Sequence, residues 1–201
     1  MPQALLLGTE NRAKQERLAW LLNGSGRTWV TPAQVFLAAP RAQEDGPSHE
    51  ANAIAKAMAW SEAYGGMAIA SDGGLVIPAL GSGWDSLRTR RFSSGDDVAR
   101  ARELLALMSS LAGKDRRAYW TEAVAVADHG RLLHAIKAQS GEGLIAQNVD
   151  EALVKDGFWV GAVWYFPQVG KRYAELTPAE LQLVGDHWTA LKAQTQKLFA
   201  T

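Results

Sequence analysis

The first segment equipped for chemistry is Gly8-Thr9-Glu10-Asn11-Arg12-Ala13-Lys14, directly after the apolar run Ala4 to Leu7. It offers a hydroxyl, an amide and an amine close to a helix start. Free N–H groups and the positive end of a helix dipole attract anions there, and Asn11 and Lys14, one turn apart, add side-chain grip suited to phosphate. The segment nearly spells a P-loop. Ala13 replaces the glycine before the lysine, however, and Gln15 replaces the Ser or Thr whose hydroxyl would hold magnesium, so a P-loop hydrolase is excluded. The same residues also read as a capped helix with a solvated charged face.

A second set comprises Glu44 with Asp45, Asn52, Lys56 and Asp72. Two or three carboxylates beside a lysine suit a magnesium-bound polyphosphate, because magnesium keeps several waters and needs only one or two protein carboxylates. Asp72 would help the attacking water or the metal, and Lys56 would neutralise phosphate charge. Each residue has a plainer reading beside this one: Asp72-Gly73 as a hairpin turn, Glu44-Asp45 as a loop, Lys56 on a solvated helix face. Arg88, Arg90 and Arg91 followed by Phe92 would either grip phosphate and stack on a base or form a charged sheet edge. The four histidines have no metal-ligand spacing, and the absence of cysteine excludes thiolate chemistry and disulfides. No G-x-S-x-G elbow and no glycine-rich dinucleotide fingerprint is present.

The elements that must position these groups follow from punctuation and period. Ala4 to Leu7 predicts a strand, Thr9 an N-cap, and a helix then runs to Leu22, stopped by Asn23-Gly24-Ser25-Gly26. Residues 27–47 predict strands and loops. Ser48 predicts the cap of a helix ended by Gly65-Gly66, with many alanines for close packing. Met67 to Ala70 and Leu75 to Ile77 flank Ser71-Asp72-Gly73-Gly74, which predicts a tight turn. Gly95-Asp96-Asp97 opens a further helix. Ala118 to Ala127 and Leu132 to Ala138 predict a hairpin closed at Asp128-His129-Gly130-Arg131. A strand is predicted over Phe158 to Phe166, and one helix from Pro178 to about Leu198. With no repeat and no linker-like segment, residues 1–201 read as a single α/β domain.

Composition narrows the partners. Of 201 residues, 47% are hydrophobic and 21% charged, ordinary for a globular chain. Lys plus Arg and Asp plus Glu each total 21, so no net field draws the molecule to nucleic acid or to an anionic membrane. The N-terminal stretch has no basic region and only a four-residue apolar run, which predicts neither a signal peptide nor a membrane span and points to the cytoplasm.

In order along the chain these pieces resemble the inosine triphosphate pyrophosphatase family. Thr9-Glu10-Asn11-Arg12-Ala13-Lys14 is similar to its T/S-x-N-x-x-K phosphate motif, Glu44-Asp45-Gly46 to its acidic loop, and Asn52-Ala53-Ile54-Ala55-Lys56-Ala57 to its N-A-x-x-K-A helix. Ser71-Asp72-Gly73-Gly74-Leu75 stands where the family has D-D-S-G-L. Ala79-Leu80-Gly81, Arg91-Phe92, Asp115-Arg116-Arg117-Ala118, Gly157-Phe158, Gly170-Lys171 and Ala174-Glu175-Leu176-Thr177 keep the register.

The resemblance implies an elongated mixed central sheet flanked by helices, two lobes with a cleft between them, and a homodimer. It implies magnesium-dependent hydrolysis of a nucleoside triphosphate to monophosphate and pyrophosphate. Asp72 and Lys56 would be catalytic, and Glu44 and Asp72 would hold Mg2+. Thr9, Asn11, Lys14, Gly73, Arg91, Phe158, Trp159 and His187 would bind the substrate. Three departures fall at the base-reading end. The family's F-G-Y-D reads Phe158-Trp159-Val160-Gly161, the lysine of its last helix is Leu181, and its histidine-arginine pair is Asp186-His187. They imply an altered base preference; Ser71 and Gly73, in place of an aspartate and a serine, leave a non-catalytic nucleotide-binding or regulatory role as the alternative.

Overall fold

The computed structural model describes residues 4–41 and 45–199. Within it the chain forms a mixed sheet flanked by helices and divides into two compact units, each assembled from separate stretches of sequence. The first unit takes in residues 1–73, 122–138 and 188–201; the second takes in 74–121 and 139–187.

In the first unit, β1 (Leu5–Leu7) lies between β2 (Trp29–Val30) and β3 (Met67–Val76), parallel to both, with Leu6 opposite Val30 on one side and Ala68 on the other. β3 neighbours β4 (Arg117–Asp128), which pairs with β5 (Arg131–Gln139). The period of two along these strands sorts their side chains onto two faces. Ile69, Val124 and Val126 face one way, with Leu18, Leu21 and Leu22 of helix α1 (Arg12–Leu22) and Trp188 and Leu191 of the C-terminal helix. Ala70, Ala123, Ala125 and Ala127 face the other, against Ala53 and Ala57 of α2 (His49–Tyr64). Alanine on both sides lets α2 approach closely. At Gly8 a methyl group would meet the Trp60 ring at 2.9 Å, so only glycine lets the chain leave β1 there.

The helix punctuation is largely as predicted. Ser48 caps α2 by accepting from Ala51 N–H at 3.1 Å, and Gly65 ends it at φ 66°. The hairpin turns at His129 and Gly130, both at positive φ (47° and 75°), as a two-residue primed turn requires. The cap of α1 is Asn11, not Thr9: its Oδ1 accepts from Lys14 N–H at 3.2 Å, while Thr9 Oγ1 accepts from Asn11 N–H at 3.2 Å.

A larger correction concerns Ser71-Asp72-Gly73-Gly74. There is no turn; β3 runs unbroken through all four residues, and neither glycine adopts positive φ. Burial inside the sheet outweighs the local turn preference of Asp-Gly. Asp72 is therefore a strand residue, and its plainer reading as a turn falls.

In the second unit, the first residues of β4 pair with β6 (Gly143–Ile145), β6 with β7 (Trp164–Phe166), and β7 with β8 (Lys171–Arg172), all antiparallel. The core is aromatic: Trp84, Trp120, Trp159, Trp164, Phe166 and Tyr173 pack with Leu104 and Met108 around helix α3 (Asp97–Leu107). Arg116 is buried beneath them and donates to the carbonyls of Met108, Leu111, Ile145 and Ala146 at 2.6–3.1 Å.

Two further expectations are corrected in the second half of the chain. The strand expected from Phe158 is a 3-10 turn over Trp159–Ala162, and extended structure begins only at Trp164. The single last helix is two, α4 (Pro178–Leu183) and α5 (His187–Phe199). Gly185 at φ 71° breaks them, with Asp186 N–H returning to Leu181 O at 2.9 Å, a glycine helix stop. That loop is clamped by Gly141, whose N–H donates to Gly185 O at 2.8 Å and where a methyl group would lie 2.2 Å from Val184 O.

Candidate active site

The chemistry-bearing residues gather in the first unit around the C-terminal part of β3. Asp72 follows Ala68 and Ala70 on the strand face that meets α2, and α2 answers with two side chains. Lys56 Nζ donates to Asp72 Oδ1 at 2.7 Å, and His49 Nδ1 lies 2.8 Å from Asp72 Oδ2. All three are largely buried. Asn52, one turn before Lys56, turns to the acidic loop instead and accepts from Gly46 N–H at 2.9 Å. A methyl group at Gly46 would fall 2.7 Å from Asn52 Oδ1, so the glycine permits this clamp. Glu44, the other expected metal ligand, lies outside the described residues.

On the opposite strand face stands α1. Lys14 Nζ donates to Ser71 O at 3.3 Å and lies 4.0 Å from Glu122 Oε1. Glu122 is 1% exposed, on β4. Asn11 uses its amide oxygen for the cap; its Nδ2 is buried and has no hydrogen-bond partner among the described residues. A buried donor left unsatisfied is costly, and it marks a place where a ligand oxygen would be welcome. Thr9 is half-buried beside it.

Burial by itself would raise the Asp72 pKa, but the His49 hydrogen bond and the charges of Lys14 and Lys56 outweigh it and hold the carboxyl at about 2. Asp72 is thus ionised throughout the physiological range. Lys14, on the other face of β3, contributes to this lowering.

The sequence profile of the Ham1 family matches residues 5–196. The chain belongs to the Ham1 family. This Ham1-family chain is 31% identical over 190 residues to a dITP/XTP pyrophosphatase of Desulforamulus reducens, covering 94% of this chain and 92% of the relative. It is 30% identical to a dITP/XTP pyrophosphatase of Haemophilus influenzae, covering 98% and 100%. Among solved structures, a HAM1 protein from Coxiella burnetii shares the fold with a TM-score of 0.78 at 24% identity over the whole of both chains. A dITP/XTP pyrophosphatase from Mycobacterium abscessus reaches 0.69 at 27% identity, covering 96% and 97%.

Gly73 is in β3 next to Asp72. Arg91 is exposed at the end of a 3-10 segment, Ser86–Arg91, rather than on a sheet edge. Phe158, Trp159 and His187 belong to the second unit. Trp159 is 2% exposed, and His187 is fully buried, its ring stacked on Trp120 at 5.9 Å and 22°. Asp186 Oδ1 accepts from Tyr173 Oη at 2.6 Å. Leu181 packs half-buried against the same aromatic core.

Two site residues escaped the sequence reading. His49, Asn52 and Lys56 are spaced i, i+3, i+7, which puts them along one side of α2, and that spacing was the available signal for His49. Glu122 is the sole charge between Ala118 and Ala127, in a run of small and apolar residues that reads as core.

Proposed function

We propose that this protein hydrolyses a nucleoside triphosphate to the monophosphate and pyrophosphate with magnesium, and that its base preference differs from inosine and xanthosine. The observation that carries the hydrolytic reading is the convergence of Lys56, His49 and the charge of Lys14 on one buried, ionised carboxylate. Dedicated placement of two amines around one acid is what a phosphoryl-transfer site needs, since stabilising developing charge is most of the catalysis.

Lys14 and Lys56 would grip phosphate oxygens, with Thr9 Oγ1 and the unsatisfied Asn11 Nδ2 completing the α1 side. At a pKa of about 2 Asp72 is a weak base by itself. Its basicity rises once the lysines turn to substrate phosphates, so substrate binding and activation of water are coupled. Magnesium, when bound, supplies charge neutralisation and an activated water. The donor set fits it: Asp72 is a hard, ionised oxygen ligand, and Glu44 would be the second. Among the described residues no group of three acidic, His or Cys side chains gathers for a metal.

The altered base preference draws support from the second unit. Asp186 is engaged with Tyr173 and His187 is stacked on Trp120, so neither presents the edge-reading groups that the resemblance assigns to those positions. Homodimerisation rests on the resemblance alone.

Pyrophosphate release from a panel of canonical, deaminated and modified nucleoside triphosphates, with magnesium, tests the reading. At least one should be cleaved, and Asp72→Asn should slow it by about 10²- to 10⁴-fold while nucleotide binding stays measurable. Equal turnover by Asp72→Asn would sink the assignment of Asp72. Binding without cleavage anywhere in the panel would give the lead to the non-catalytic role.

A further inference from the structure

Glu122 is a carboxylate almost sealed from water, followed on its strand by the alanine and valine run 123–127, and such burial costs several kcal/mol unless an opposite charge is close. Lys14 Nζ lies 4.0 Å from Glu122 Oε1. That distance is beyond the 2.7–2.9 Å of a charge-assisted hydrogen bond, so Glu122 acts on Lys14 through its field. Lys14 Nζ meanwhile donates to Ser71 O. The alternation of β3 and β4 puts residue 71 on the face of Ile69, and residue 122 on the face of Val124 and Val126. These are one and the same face, the one α1 covers. Position 71 is where the family motif has an aspartate; here it is a serine whose Oγ is buried without a hydrogen-bond partner among the described residues. A negative charge absent from one strand thus reappears on its neighbour, on the same face, beside the same lysine.

We infer that Glu122 is the counter-charge of the phosphate-binding Lys14 and sets how tightly the site holds pyrophosphate, weakening the product enough for it to leave. The inference rests on the hydrolytic reading above. Replacing the Glu122 carboxylate by an amide removes one negative charge from beside Lys14 and leaves the site more positive toward a polyanion.

The test is calorimetric titration of the protein with inorganic pyrophosphate in the presence of magnesium. Glu122→Gln should bind on the order of tenfold tighter than wild type, given the strength of unscreened charges several ångströms apart, and its KM for a cleaved triphosphate should fall. Lys14→Met should bind more weakly. A variant that gains affinity cannot be explained as damage to the fold. Should Glu122→Gln fail to fold, Glu122→Asp, which retracts the charge from Lys14 by one methylene, should still tighten binding by roughly two- to threefold. Tight wild-type binding with unchanged or weaker binding by the folded variant overturns this inference and leaves the hydrolytic reading standing. No pyrophosphate binding by wild type or by any folded variant overturns this inference, while the pyrophosphate-release assay alone decides the hydrolytic reading.

Discussion

The two units bury polar groups in opposite styles. In the first, charges of both signs are held within the sheet, Asp72 and Lys56 beside the alanines that meet α2, Lys14 and Glu122 on the face that α1 covers. In the second, Asp186 and His187 are embedded in a stack of rings, with Trp120 and Tyr173 lying nearly parallel to the imidazole at 22° and 20°. Alanines around Asp72 let α2 bring Lys56 and His49 onto it; Trp159, Trp164, Phe166 and Tyr173 pack against one another as large rings. The first arrangement suits an exchange of partners, because amines bound to a carboxylate can turn to phosphate. The second suits rigidity.

Substitution at Trp159 has the largest expected effect and puts this contrast at risk. As a fully packed core residue, Trp159→Ala should cost about 3–5 kcal/mol of stability in denaturant unfolding. The milder Trp159→Phe should leave the ranking of triphosphates in the pyrophosphate-release assay unchanged. A folded Trp159→Phe protein with a reordered base preference would make Trp159 a substrate contact, and the second unit more than a framework.

The contrast also explains which parts were legible in the sequence. Helix α2, its Ser48 cap and the hairpin at His129-Gly130 are written locally, in residues adjacent to the features they decide. Lys56 and Asp72 were readable because each interrupts a run of small and apolar residues, and Lys14 because it stands one turn after Asn11 at a helix start. Glu122 was hidden because its role depends on which strand lies beside β3, a fact no local pattern contains. Asp72-Gly73 misled for the same reason: turn chemistry was present, but the sheet claimed the segment. Trp159 and His187 carry no local sign of whether a ring faces a ligand or other rings; only the assembled core of the second unit shows where they lie.

Tyr173→Phe removes the 2.6 Å hydrogen bond to buried Asp186 while keeping the ring and its stacking. Leaving a buried acid short of a donor should cost roughly 2–3 kcal/mol, measurable as a lower urea midpoint with an unchanged slope. Pyrophosphate release at saturating substrate should stay near wild type. A large fall in kcat with no loss of stability would place the Asp186 cluster in catalysis and erase the distinction between the two units.

The smallest expected effect concerns acid. Asp72 has its folded pKa lowered from 3.8 to about 2, with burial opposing the shift and His49, Lys14 and Lys56 driving it. Folding therefore favours the ionised form, and its stabilising contribution is fully present above the unfolded value near 4. As pH falls through that value toward 2, the unfolded chain takes up the proton first, and the contribution fades until both states are protonated. For a group this buried the contribution is at most about 2 kcal/mol. Position 72 cannot titrate in Asp72→Asn, so the stability difference between wild type and Asp72→Asn should shift against wild type between about pH 4 and pH 2. Urea unfolding at intervals across that range measures it directly. A difference that stays flat down to pH 2 would mean that His49 and the two lysines do not hold the Asp72 charge in solution, and the coupling proposed between lysine release and Asp72 basicity would lose its foundation.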